Sequence, residues 1–169
     1  MSIGAMTGSF DIFHNGHLAI LKEAVDLFDK VYIVIANNPN KKERRFPEAF
    51  MKKVIESVLK KENLSYKVEV VIEHNLICDF LIKHNVTHII RGLRDGSVGD
   101  YEYQIALVNK ELCPNIHTIL LGLGLPYISS TMLWELYTNY KDISKYIPYE
   151  LPEYCSHEYY TIKDKYKFI

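Results

Sequence analysis

Ser2 to His17 reads SIGAMTGSFDIFHNGH: an apolar run, a turn with Gly8 and Ser9, then His14-Asn15-Gly16-His17 where an amphipathic pattern begins. That order predicts a strand, a loop and a helix. The small turn lets backbone N–H groups approach a ligand. The helix adds its unpaired N-terminal N–H groups and the positive end of its dipole. His14 and His17 stand three apart, so both rings reach one side of the helix start. Two imidazoles beside N–H donors suit phosphate oxygens. The pair also has a spacing that metal ligands use, but no acid or third ligand accompanies it as in H-E-x-x-H, and no protein metal site is expected.

The pattern repeats outward from this unit. Short runs rich in β-branched residues occur at Ser2–Met6, Val31–Ala36, Lys67–Ile72, Thr87–Ile90 and His117–Leu121. Between them lie helical stripes: Leu18, Leu21, Val25 and Phe28; Phe50, Val54, Ile55, Val58 and Leu59; Ile77, Phe80 and Leu81; Tyr103, Ala106, Leu107 and Leu112, ended by Pro114. Strands alternating with helices predict an α/β fold with a five-stranded parallel sheet covered by helices on both faces. Ligands of such sheets sit outside the carboxyl ends of the strands.

Four of the five strand exits carry groups suited to phosphate. The first is the loop just described. The second reads Asn37-Asn38-Pro39-Asn40-Lys41-Lys42-Glu43-Arg44-Arg45; Lys41 is the candidate for the crevice, and Arg44 and Arg45 are assigned to solvent or partner contacts. The fourth is Ile90-Arg91-Gly92-Leu93-Arg94. An arginine at a buried strand end is costly unless it meets an anion, and its planar fork suits phosphate. Gly92 is expected to let the backbone turn between the two arginines, while pairing of either arginine with Asp95, Asp100 or Glu102 is the alternative, stronger for Arg94 than for Arg91. The fifth runs through Gly122–Tyr127 to Ser129, Ser130 and Thr131, which suit a helix N-cap and a further anion site.

The chain has 169 residues, the length of one domain. Twenty Lys and Arg against twenty-one Asp and Glu leave a net charge of -1, which speaks against nucleic-acid binding. The first residues lack a basic flank and no apolar run reaches about 18 residues, so neither a signal peptide nor a membrane span is expected. Cys78, Cys113 and Cys155 stand far apart without C-x-x-C spacing, which fits a reducing cytoplasm rather than a disulfide framework.

GSFDIFHNGH, ANNPNKK, NLICDFLIKHNVTHIIRGLR, DYEYQIALVNKEL and YISST together resemble the phosphopantetheine adenylyltransferases, nucleotidyltransferases with an H/T-x-G-H element. The resemblance runs to about Tyr149. It implies a Rossmann-like core over 1–149; the tyrosine-rich end, 150–169, has no counterpart in that family and reads from its residues as a helical tail or a subunit contact, with a plain surface tail the alternative, within a single domain 1–169. It also implies transfer of AMP from ATP to 4'-phosphopantetheine, giving dephospho-coenzyme A and pyrophosphate, with Mg²⁺ accompanying ATP. By that resemblance His17, Lys41 and Arg91 serve catalysis. Ser9, Phe10, His14, His17, Gly92, Leu93, Arg94, Gln104, Leu125, Pro126, Tyr127, Ile128, Ser129, Ser130 and Thr131 bind ATP. Ser9, Lys41, Ile77, Arg91 and Asn109 bind the second substrate. A homo-oligomer, hexameric in the family, and a cytoplasmic place are further implications.

The chain departs from the family pattern at several points. Ser9 stands for threonine, Ile12 for proline, and His14 where threonine is frequent. Gln104 stands for glutamate, Met51 for arginine, and Trp134 for a basic residue. Two other functions remain open at this point: a nucleotidyltransferase acting on another small phosphate, such as nicotinamide mononucleotide or a polyol phosphate, and a non-catalytic nucleotide or coenzyme A sensor.

Overall fold

Alternate residues of the central strands are buried on opposite faces, as a sheet covered on both sides requires. Val31, Ile33 and Ile35 join one apolar cluster and Tyr32 and Val34 the other. The computed structural model describes residues 1–36, 44–93, 96–122, 125, 127–151, 154, 162, 164 and 165, with the backbone alone at 96–102 and 105. Its strands are β1 (Ile3–Gly8), β2 (Lys30–Ala36), β3 (Val68–Glu73), β4 (His88–Gly92) and β5 (His117–Leu121). They form one parallel sheet in the order β3-β2-β1-β4-β5. The helices are α1 (Asn15–Leu27), α2 (Glu48–Lys61), α3 (Ile77–Lys83), α4 (Gly96–Leu112) and α5 (Ser130–Thr138).

Right-handed crossovers dictate which face each helix covers. The chain winds from β1 to β3 in one direction, and α1 and α2 bury Leu21, Val25, Met51 and Ile55 on the first face. It then crosses to β4 and β5 in the other direction, and α3 buries Phe80 and Leu81 on the second face, beside Cys113 just past α4. Leu133 and Tyr137 return α5 to the first face. The reversal of winding falls between β1 and β4, which makes their carboxyl ends the switch point where ligands of open α/β sheets bind. At the opposite end Thr87 clasps Ile3: its hydroxyl donates to the Ile3 carbonyl at 2.9 Å and accepts from the Ile3 N–H at 3.0 Å.

The helix expected over Tyr103–Leu112 is present, within α4, but Tyr103 is 63% exposed and Leu107, Val108 and Leu112 are about half exposed; the expectation that changes concerns the cysteines. Periodicity marks one apolar face without saying whether this chain or another covers it. Cys78 and Cys113, remote in sequence, form a disulfide with Cα atoms 6.1 Å apart. The crossover that carries α3 and α4 onto one face brings them together. Most of the tail lies outside the described residues. Its Tyr154 packs edge-on against Trp134, Tyr137 and Tyr140, so Trp134 acts as an aromatic anchor. Among the described residues no helix is long and apolar enough to cross a membrane.

At the amino end of the sheet, burial and the neighbouring His117 hold the His88 imidazole below its ordinary value of 6.5. The proton therefore binds the unfolded chain more readily, and His88 removes stability as pH falls through 6.5. His88→Gln should flatten that loss. Melting temperatures of both proteins at about pH 7.5 and 5.5 test it; equal drops would assign the acid sensitivity elsewhere.

Candidate active site

The loop after β1 is fixed by His14 and His17 themselves. His14 is the N-cap of α1: its Nδ1 accepts from the His17 N–H at 3.3 Å, and His17 Nδ1 accepts from the His14 N–H at 3.2 Å. This reciprocal capping box occupies both Nδ1 lone pairs, so each neutral ring carries its proton on Nε2. The rings stack with centroids 3.7 Å apart. Phe10 meets His17 edge-on at 5.1 Å and Phe13 stacks on it at 5.5 Å, so the orientation of the His17 ring is set by packing on three sides. His17 is half-buried, whereas His14 is only 2% exposed.

Phe10 holds φ at 45°, a conformation that costs a non-glycine residue about 1 kcal/mol or more. Burial of its ring against His17 sustains it. Gly16 serves close approach instead: a Cβ there would lie 3.0 Å from His14 Nδ1 and 3.5 Å from the Leu125 carbonyl. Gly16→Ala gains about 1 kcal/mol of helix propensity against that crowding. We expect near-native stability and a turnover lowered about ten-fold, because the imidazole pair must shift. A variant with native turnover would free the pair from this dependence.

Asp11, to which the sequence pattern gives no role, organises the surroundings. It is buried, and its two carboxylate oxygens accept the N–H groups of Arg45 at 2.7 Å and Phe46 at 2.9 Å. That brings the segment leading into α2 against the first loop. Arg44 Nη2 donates to the Ser9 carbonyl at 2.8 Å. Arg45 Nη1 donates to the carbonyls of Asp11, at 3.0 Å, and Ser130, at 2.8 Å. Arg44 and Arg45 thus bind the site's own backbone, and their assignment to solvent or partner contacts is corrected. The signal available was Asp11 itself, a lone acid inside an otherwise uncharged loop.

The start of α5 closes this side. The Ser129 hydroxyl caps the helix by accepting from the Met132 N–H at 3.1 Å, and the Ser130 hydroxyl donates to the Ile12 carbonyl at 2.9 Å. Ile128 is buried in the core and its N–H donates to the Leu125 carbonyl at 3.0 Å; Tyr127 is exposed. The N-termini of α1 and α5 therefore converge with His14 and His17 on the first face of the sheet.

Arg91 belongs to the other face. It follows Ile89 of β4, whose side chain lies in the second cluster, and its Nη1 donates to the Thr7 carbonyl at 3.1 Å across the switch point. Ile77 packs on that cluster at the start of α3, and Asn109 lies one turn before Cys113. Gly92 ends β4 on the first face without a positive φ. A Cβ there would stand 2.2 Å from Ile20 Cδ1, so Gly92 makes room for α1 rather than for the turn expected between two arginines. Leu93 is partly exposed and its N–H donates to the Leu121 carbonyl; Gln104 is exposed on α4. Lys41, Arg94 and Pro126 lie outside the described residues.

The cytidylyltransferase-like family model matches residues 5–144. Phosphopantetheine adenylyltransferase of Streptococcus suis is 37% identical over 150 residues, covering 86% of this chain and 90% of its own. That of Clostridium tetani is 42% identical over 121 residues, covering 72% and 73%. Among solved structures, a bifunctional NMN adenylyltransferase/ADP ribose pyrophosphatase of Francisella tularensis superposes with a TM-score of 0.69 at 19% identity, over 96% of this chain and 50% of that one. At that identity the likeness speaks for the fold.

Proposed function

We infer that this chain, which belongs to the phosphopantetheine adenylyltransferases within the cytidylyltransferase-like family, transfers AMP from ATP to 4'-phosphopantetheine. The products are dephospho-coenzyme A and pyrophosphate. The observation that carries the reading for this chain's own residues is the division of the switch point. The imidazole pair and two helix N-termini face it from one side of the sheet, and a tethered guanidinium from the other.

The first side suits the triphosphate, with His14, His17, Ser9, Phe10, Gly92, Leu93 and 125–131 around the nucleotide. The second suits the phosphate of the acceptor, held by Arg91 with Lys41, while Ile77 and Asn109 flank its arm. That phosphate is ionised at neutral pH, so attack on the α-phosphorus needs no general base. Its oxygen forms the new bond as the bond to pyrophosphate breaks. The chain's task is to align two anions and neutralise charge as it grows. His17 Nε2–H donates to an α-phosphate oxygen in the transition state. Arg94 and Gln104 complete the nucleotide contacts in this reading.

Mg²⁺ accompanies ATP and offsets charge on its phosphates. The one acid of the first loop, Asp11, has both carboxylate oxygens on backbone amides. The fit is therefore to an ion carried by the nucleotide rather than caged by the protein. The reading includes a homo-oligomer, supported by the exposed Leu107, Val108 and Leu112 of α4, and a cytoplasmic place that rests on the family resemblance and not on the cysteines, two of which form a disulfide. Sedimentation reads the oligomer directly. Pyrophosphate release from MgATP tests the reaction, with 4'-phosphopantetheine, nicotinamide mononucleotide and glycerol 3-phosphate offered separately. Release with the first alone is expected; release with another acceptor, or with none, would overturn the reading.

A further inference from the structure

Arg44 and Arg45 place two guanidinium groups at the seam between the first loop and the start of α5, and neither has a carboxylate within ion-pair distance among the described residues. Arg45 Nη1 bridges the Asp11 and Ser130 carbonyls, and its Nη2 donates to the Thr131 hydroxyl at 3.3 Å. A guanidinium has five N–H donors. Those three bonds leave the Nε–H and one Nη2–H of Arg45 without an acceptor among the described residues. Arg44 donates from Nε to the Phe46 carbonyl and from Nη2 to Ser9, and its Nη1 is buried with no acceptor among those residues.

The Arg45 cation is offset by the Asp11 and Ser130 carbonyls and by the Trp134 ring, whose centroid lies 5.9 Å from the guanidinium carbon, but not by an anion among the described residues. The Arg45 guanidinium lies beside Ser130 and Thr131, in the first turn of a helix, where the dipole is positive and a cation is disfavoured. Asp11 does not offset it by direct pairing, because its carboxylate oxygens hold backbone amides. A polyphosphate laid across the seam would meet the helix N–H groups and the remaining guanidinium donors together.

We propose that Arg45 is a further nucleotide-binding residue, one that fastens the first loop to the start of α5 and presents Nε–H and Nη2–H to the triphosphate of ATP. The proposal rests on the adenylyl-transfer reading for the identity of the anion, and Arg44 supports it by tying the same segment to Ser9. Planar, two-pronged recognition distinguishes this role from that of a lysine at the same place.

Calorimetric titration of the full chain with a non-hydrolysable ATP analogue, and separately with 4'-phosphopantetheine, tests it in wild type, Arg45→Gln and Arg45→Lys. Loss of one charge-assisted phosphate contact corresponds to about ten-fold weaker analogue binding in Arg45→Gln, with phosphopantetheine affinity held within about two-fold. Arg45→Lys keeps a charge without the fork and should recover part of the loss. If the glutamine variant fails to fold, the lysine variant decides, with about five-fold weaker analogue binding expected from the lost fork. Unchanged analogue affinity in the folded variants, or equal losses for both ligands together with a lowered melting temperature, would overturn the proposal. A wild type that binds the analogue through Arg45 but releases no pyrophosphate with phosphopantetheine would instead overturn the choice of acceptor.

Discussion

His17→Ala lowers kcat for pyrophosphate release by about 100-fold or more, while the affinity for ATP changes by less than about three-fold. The expectation comes from the tautomer and the packing. His17 Nδ1 is held by the His14 N–H, so the neutral ring donates from Nε2, and Phe10, Phe13 and His14 confine its plane. A donor held in place before reaction favours the state in which charge on the α-phosphate is largest. In the proposed reading much of the nucleotide's ground-state binding lies elsewhere, at the starts of α1 and α5. Single-turnover and steady-state assays with saturating MgATP separate the two. Native kcat in the variant would remove His17 from the chemical step, and a loss confined to KM would make it a binding residue.

Arg91→Ala weakens 4'-phosphopantetheine binding by about 100-fold, the scale of a charged hydrogen-bonded pair, and ATP binding by a few-fold at most. The separation follows from strand alternation. Ile90 and Gly92 face α1, while Ile89 and Arg91 face the cluster of α3. Strand alternation puts Arg91 and the capped histidines on opposite faces of the sheet, and in the proposed reading the guanidinium serves the acceptor's side of the crevice. Arg91→Lys keeps the charge but cannot both hold the Thr7 carbonyl and grip a phosphate with two prongs, and an intermediate loss is expected. Calorimetry with each substrate alone measures the separation. Equal losses for both would mean that one shared anion pocket, rather than two, spans the switch point.

The parts of this site legible in the sequence are those written in local rules. The helix start at His14–His17, the N-cap at Ser129 and the alternation of strands with helices each follow from residues within one turn or one strand of each other, whereas the capping of α1 by the two imidazoles shows only in the structure. Arg45 looks like a solvent contact in sequence because its partners are distant: Asp11 lies 34 residues before it and Ser130 85 after it. Gly92 resembles a turn glycine next to two arginines, but its necessity comes from Ile20 on a helix far back in the chain. Residues 103–112 carry a helical apolar rhythm that is correct for a helix and silent about its burial. Cys78 and Cys113 meet through topology alone.

The order of the strands has a consequence for how the protein comes into being on the ribosome. The loop after β1 is synthesised within the first 17 residues, yet the far wall of its crevice is β4, whose His88 pairs with Gly4. Bringing those ends together costs about 4 kcal/mol of loop-closure entropy, so the pairing waits on the packing of α3 and the Thr87–Ile3 clasp. A nascent chain that stops before Thr87 has β1 paired with β2 on one side and bare on the other. That bare edge is a template for another unfinished copy. The loop after β1 is thus among the first parts made and among the last to gain its far wall, and a stalled translation product carries the motif without the crevice.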